Sequence, residues 1–128
     1  MAESDGRKTA LITGASSGLG AEFARQLADL HYNLVLTARR TDRLAALAET
    51  LHTRYGVRTE SLTADLSTDT GVKAVEGRLA EGGVHLLVNN AGFGIGSTFA
   101  EADIVGQAAM VQVHMVAPMR LMHAALPH

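Results

Sequence analysis

The residues best placed to do chemistry at the start of this chain are glycines. Thr13-Gly14-Ala15-Ser16-Ser17-Gly18-Leu19-Gly20 sets them at a G-x-x-x-G-x-G spacing. Without a Cβ, a backbone can turn sharply and lie close to a pyrophosphate. The amides opening the next helix then donate to phosphate oxygens, and the helix dipole favours the negative charge. No Gly-Lys-Ser/Thr follows, which excludes a nucleoside-triphosphate loop of the familiar kind. A plain loop that happens to hold glycines is the alternative; the apolar run before the motif and the helical pattern after it favour a cofactor. A second group follows at Thr37-Ala38-Arg39-Arg40. A site that reads a free ribose hydroxyl carries Asp or Glu here, about 20 residues beyond the glycines. A guanidinium would instead pair with a 2′-phosphate through a bidentate, charge-assisted fork. Two arginines with no carboxylate before Asp42 point to NADP (NADPH) in preference to NAD, against the alternative of solvated helix-start arginines. The chain has no cysteine, so thiolate chemistry and disulfides are excluded. Its 6 histidines show no ligand spacing, and no metal site is expected.

These groups need elements to hold them. Thr9 to Thr13 is a short apolar, β-branched run that fits a buried strand. From Gly18 a helix is expected, with Leu19, Phe23, Leu27 and Leu30 on its inner side. Asn33 to Thr37 is a second strand. Thr41 reads as the N-cap of a second helix with the stripe Leu44, Leu47, Ala48 and Leu51. Thr59 to Thr63 is a weaker third strand. Ser67 can cap a third helix, with Val72, Val75 and Leu79 inward and Gly82-Gly83 at its end. Val84 to Val88 is a fourth strand, and Gly92-Phe93-Gly94-Ile95-Gly96 a loop. From about Ala102 to Leu126 the pattern is helical but apolar on more than one face, as in a helix covered on two sides. Strands alternating with helices imply an α/β fold with a parallel sheet.

Composition bounds the rest. The chain has 128 residues, is 47% hydrophobic, and carries 11 basic and 13 acidic residues. One domain with a real core is expected, and disorder is not. The spread of charge gives no basic face for nucleic acid. No run approaches the roughly 20 apolar residues of a membrane helix. No targeting segment is visible, so a cytoplasmic location is the default.

The motifs together resemble those of the short-chain dehydrogenase/reductase family. The glycine motif has that family's form, Asn89-Asn90-Ala91-Gly92 matches a second motif at the end of strand four, and Ala64-Asp65-Leu66 a third after strand three. They occur in the family's order and cover essentially the whole chain. The resemblance implies a Rossmann-type parallel sheet of about four strands in the order 3-2-1-4, with helices on both faces, stopping before a fifth strand. It implies that residues 1–128 form one NADP-binding domain, incomplete relative to the family. Gly14, Ser16, Ser17, Gly18, Leu19 and Gly20 would lie along the pyrophosphate, and Arg39 and Arg40 at the 2′-phosphate. Asp65 and Leu66 would lie at the adenine, and Asn90, Ala91 and Gly92 at the ribose nearer the nicotinamide. Asp65 could equally be a helix N-terminal acid, and the asparagines a brace for the sheet.

The family transfers hydride between the nicotinamide and a carbonyl or alcohol, using a Ser and a Tyr-x-x-x-Lys pair. Tyr32 and Tyr55 have no lysine four residues on, and Lys8 and Lys73 are equally misplaced, so this machinery is not in the chain. Where the family often has an asparagine in the fourth helix, the chain has His114. Pro118 lacks an N–H, so the His114 carbonyl could hold a relay water; His114 as a packed or interfacial histidine is the equal alternative. Three readings follow: the NADP-binding part of an oxidoreductase acting on a small carbonyl or alcohol, a non-catalytic dinucleotide-binding or interaction module, or a truncated fragment without function. A homo-oligomer through the fourth helix is expected, with no nucleic-acid or membrane partner. A Ser and Tyr-x-x-x-Lys in the downstream reading frame would favour the first, and NADPH titration separates the other two.

Overall fold

A computed structural model describes residues 5–16, 18–94 and 96–128. Four strands, β1 (Thr9–Thr13), β2 (Asn33–Ala38), β3 (Thr59–Thr63) and β4 (Leu86–Val88), form one parallel sheet in the order β3-β2-β1-β4. The expected order 3-2-1-4 is therefore the observed one. Alternate residues of the two central strands feed two cores. Ala10, Ile12, Leu34 and Leu36 pack on one face under α1 (Gly18–Asp29) and α2 (Thr41–Tyr55). Leu11 and Val35 pack on the other under α3 (Asp69–Ala80) and the last helical segment. Both faces are covered, which is why β1 and β2 read as nearly unbroken apolar runs. β3 is an edge strand with no fully buried residue, and its sequence Thr-Glu-Ser-Leu-Thr is correspondingly polar.

Several local expectations are corrected. In α1 the buried residues are Gly20, Ala21, Ala24 and Ala28, whereas Leu19, Phe23 and Leu30 are exposed. The helix lies against β1 and β2 on its small residues, because the larger side chains would hold it away from the sheet. Thr41 is the first residue of α2 and does not cap it; the capping position is Arg40, and the Thr41 hydroxyl pairs with that of Thr63 at 3.1 Å. Thr68, not Ser67, caps α3 by accepting from Gly71 N–H at 3.0 Å. The fourth strand is shorter than its apolar run, since Thr9 N–H is taken by the His85 ring nitrogen Nδ1 at 3.0 Å.

The last helical segment is divided into α4 (Ile104–Val111), a π-helical turn (Gln112–Val116) and α5 (Ala117–Ala125). Pro118 sits in the first turn of α5. A proline clashes with the carbonyl four residues back, and a wider turn just before it relieves that crowding. Val113, Ala117 and Leu121 are buried on the sheet and α3. Arg120 ties α5 to α3 through Glu76 at 2.5 and 3.1 Å and Asp69 at 2.7 Å. The second side expected to be covered has no cover among the described residues: Ile104, Val105, Met115, Met119, Met122 and Leu126 are exposed. No helix among the described residues is long and apolar enough to cross a membrane.

Candidate functional site

The carboxyl ends of the strands open into a cleft of about 390 Å³, within the range of small-molecule sites. It lies where β1 leads to β2 on one side and β4 pairs on the other, the switch point of a doubly wound sheet. In register, Thr13 faces Thr37 and Ile12 faces Val88, so the loops leaving these strands converge.

Gly14 has φ +63°, and a Cβ there would stand 2.9 Å from Ala91 Cα. A Cβ on Gly20 would run into the Gly14 carbonyl oxygen. The two glycines therefore let the start of α1, the loop before it and the end of β4 close on one another. Thr13 holds the third side. Its hydroxyl oxygen accepts from Asn90 and Ala91 N–H, both at 2.9 Å. Asn90 Nδ2 in turn donates to the Gly14 carbonyl at 3.2 Å. The Asn90 side chain thus ties the end of β4 to the glycine loop. Thr37, buried and bordering the cleft, has a hydroxyl with no hydrogen-bond partner among the described residues.

At the β2 end, Arg39, Arg40 and Arg43 line the cleft and are exposed. None of the three has a salt bridge among the described residues, so this end presents three guanidinium groups held by no ion pair. Asp65 faces them. Its carboxylate accepts from the Ser67 hydroxyl at 2.7 Å and the Ser67 N–H at 2.9 Å. The Ser67 hydroxyl first, and then its amide and the Arg39 charge, hold the Asp65 carboxyl below the usual carboxylate range against the opposing effect of burial. It is therefore anionic at neutral pH.

Of the residues singled out from sequence, Gly14, Ser16, Leu19, Arg39, Arg40, Asp65, Leu66, Asn90, Ala91 and Gly92 line this one cleft. Gly18 and Gly20, in the first turn of α1, do not line it. Ser17 lies outside the described residues. Arg43, Phe93 and Val113 also line the cleft and were not expected there. Arg43 was legible, since one helical turn separates it from Arg39 and Arg40; Val113 and Phe93 were not, because they arrive from distant segments. Among the described residues no cluster of His, Asp and Glu could hold a metal ion. Tyr32 borders a groove at the opposite end of the sheet, and Tyr55 packs against the first core. No tyrosine or lysine lines the cleft among the described residues.

The parallel sheet in the order β3-β2-β1-β4, with helices on both faces and a glycine-closed loop at the switch point, defines a Rossmann-like α/β protein. Residues 8–128 match the model of the short chain dehydrogenase family, and the chain belongs to that family. It is 38% identical over 120 residues to a sulfoacetaldehyde reductase 2 of Chromohalobacter salexigens, covering 91% of this chain and 47% of the relative. Among solved structures, a short-chain dehydrogenase from Sphingobium yanoikuyae in complex with NADPH superimposes with a TM-score of 0.91 at 40% identity, over 94% of this chain and 47% of that one. An L-sorbose reductase from Gluconobacter frateurii complexed with NADPH and L-sorbose gives a TM-score of 0.88 at 37% identity, over 94% and 47%. The chain thus spans about half the length of these relatives.

Proposed function

We propose that the cleft binds NADP(H) and that residues 1–128 act as the NADP-binding domain of an oxidoreductase acting on a small carbonyl or alcohol. The observation that carries this reading is the pairing of a Cβ-free cradle at Gly14 and Gly20 with three arginines at the β2 end that make no salt bridge among the described residues. The cradle suits a pyrophosphate, which approaches the backbone where no Cβ intervenes. The arginines suit a 2′-phosphate, which a guanidinium grips as a fork. The unpartnered Thr37 hydroxyl leaves a polar atom ready for a ligand beneath the rim. Asp65 and Leu66 would border the adenine, and Asn90, Ala91 and Gly92 the nicotinamide ribose. NADPH, when bound, supplies the hydride. This chain's residues bind and orient it, and keep the glycine loop against β4. The NADPH- and NADP-bound relatives support a nicotinamide cofactor, and Arg39 and Arg40 support its phosphorylated form.

No tyrosine or lysine lines the cleft among the described residues. A dinucleotide-binding module that does not itself catalyse is the second reading. Titration with NADPH and NADH, followed by fluorescence, tests both. Binding of NADPH with clear preference over NADH, abolished as a preference in Arg39→Asp, supports the NADP assignment. Equal losses for both cofactors in that variant would sink it, and turnover of a ketone by the isolated chain would exclude the non-catalytic reading.

A further inference from the structure

His114 departs from the asparagine that the family resemblance places in this helix, and the structure brings its side chain to the backbone of Gly92 and Phe93, which line the cleft. The Nε2 atom accepts a hydrogen bond from Phe93 N–H at 2.9 Å. A Cβ on Gly92 would stand 2.7 Å from the same nitrogen, so in this position the ring packs directly on the Gly92 backbone. The Phe93 ring lies 6.0 Å from the imidazole, centroid to centroid, tilted by 57°. An amide N–H can donate only to an unprotonated ring nitrogen, so Nε2 is bare and the neutral ring carries its proton on Nδ1. The ring comes from the π-helical turn, where one extra residue per turn displaces the backbone from its α-helical course.

The segment it holds packs the Ala91 and Phe93 side chains against the second core, and its backbone amides are tied individually. Thr13 fixes the amides of Asn90 and Ala91, and His114 fixes that of Phe93. Both Gly92 and Phe93 line the cleft. We propose that the neutral imidazole of His114 is a positioning residue that latches the Gly92–Phe93 backbone into the shape that receives the nicotinamide end of the cofactor, and that a second ring proton opens the latch. The inference rests on the reading of the cleft as a dinucleotide site. Protonation turns Nε2 from acceptor to donor and sets it against the Phe93 N–H.

α4 and the 91–94 segment carry no titratable side chain. On α5 and the α3 helix behind it, Arg120 is held by Asp69 and Glu76, Lys73 by Asp69, and Arg78 by Glu60. His123 is the remaining titratable group of α5. Across the cleft, Asp65 is bound by Ser67, with Arg39 nearby. None of these groups is hydrogen-bonded to the His114 ring among the described residues.

The test uses the 15N-labelled chain at about pH 8 and about pH 5.5, on either side of the ordinary histidine range. Ring nitrogen shifts at the higher pH are expected to show a bare Nε2 and a protonated Nδ1. The Phe93 amide protection factor, corrected for intrinsic exchange, should fall about ten-fold on acidification. The Asn90 amide, held by a hydroxyl that does not titrate there, should keep its own. NADPH affinity should fall by a similar factor over the same span. His114→Leu should lose Phe93 protection at both pH values. His114→Gln, which offers a carbonyl acceptor, should restore it and remove its pH dependence. A proton on Nε2 at the higher pH, or Phe93 protection indifferent to pH or to His114→Leu, would overturn the latch. If His114→Leu does not fold, the wild-type shifts and His114→Gln decide. A chain that shows the latch in ring and amide but binds no NADPH supports the latch and refutes the dinucleotide reading instead.

Discussion

Replacing Thr13 by valine isolates the contact on which the shape of the cleft depends most. Valine keeps the volume and the β-branch that suit a buried strand end, but it removes one oxygen. That oxygen accepts from two backbone amides, Asn90 and Ala91, at 2.9 Å each. Thr13 itself is buried, whereas residues 90 and 91 are partly exposed. An unsatisfied buried donor costs about 1–3 kcal/mol, and partial exposure puts each of these at the low end. The expected loss is therefore about 2 kcal/mol. At about 4 °C per kcal/mol for a domain of this size, the melting midpoint should fall by roughly 8 °C. Urea unfolding measures the first quantity and differential scanning calorimetry the second. Thr13→Ser, which restores the oxygen, should recover most of the loss. The two amides should also exchange faster in the valine variant while strand β1 keeps its protection. A loss below about 0.5 kcal/mol with both amides still protected would refute the idea that one hydroxyl joins the glycine loop to β4.

Gly20→Ala should cost NADPH affinity about ten-fold or more and stability about 1–3 kcal/mol, because its Cβ would meet the Gly14 carbonyl and force the loop away; calorimetric titration that shows unchanged binding would contradict the cradle. The Asp69 carboxyl is held below its usual range, first by Arg120 and then by Lys73, and that of Asp65 chiefly by the Ser67 hydroxyl. A carboxyl with a lowered folded-state pKa stabilises fully above its unfolded value of about 4 and loses that contribution as pH falls through the lower folded value. Stability in urea should therefore decline below about pH 4, more shallowly in Arg120→Met, and an unchanged acid slope in that variant would count against the ion-pair origin. The uncovered face bearing Met115, Met119 and Met122 should drive self-association, visible by sedimentation at about tens of micromolar and abolished by Met119→Glu with Met122→Glu; a monomer in the parent chain would remove the case for an interface there.

The glycine loop, the arginines and the alternation of strand and helix were readable because each depends on local chemistry. A turn with positive φ at Gly14 needs glycine wherever it occurs, and β1 reads as buried because nearly all its residues are. The inward face of α1 was not readable. Hydropathy ranks Leu19 and Phe23 above Ala24 and Ala28, yet the sheet takes the alanines, since contact distance and not side-chain hydrophobicity decides which face fits. The capping positions were each missed by one residue for a related reason. Ser67 and Thr68 are equally good caps in isolation, and Asp65 claims the first.

The sequence by itself determined that this chain forms a parallel α/β sheet with a phosphate-ready loop after the first strand, because spacing and residue type are properties of neighbouring positions. Only the tertiary structure decided how that loop is held. Thr13 meets Asn90 and Ala91 across more than 70 positions, and His114 meets Phe93 across 21. Such pairs leave no periodic trace, since their partners become neighbours only when β4 pairs with β1 and the π-helical turn is set against the sheet.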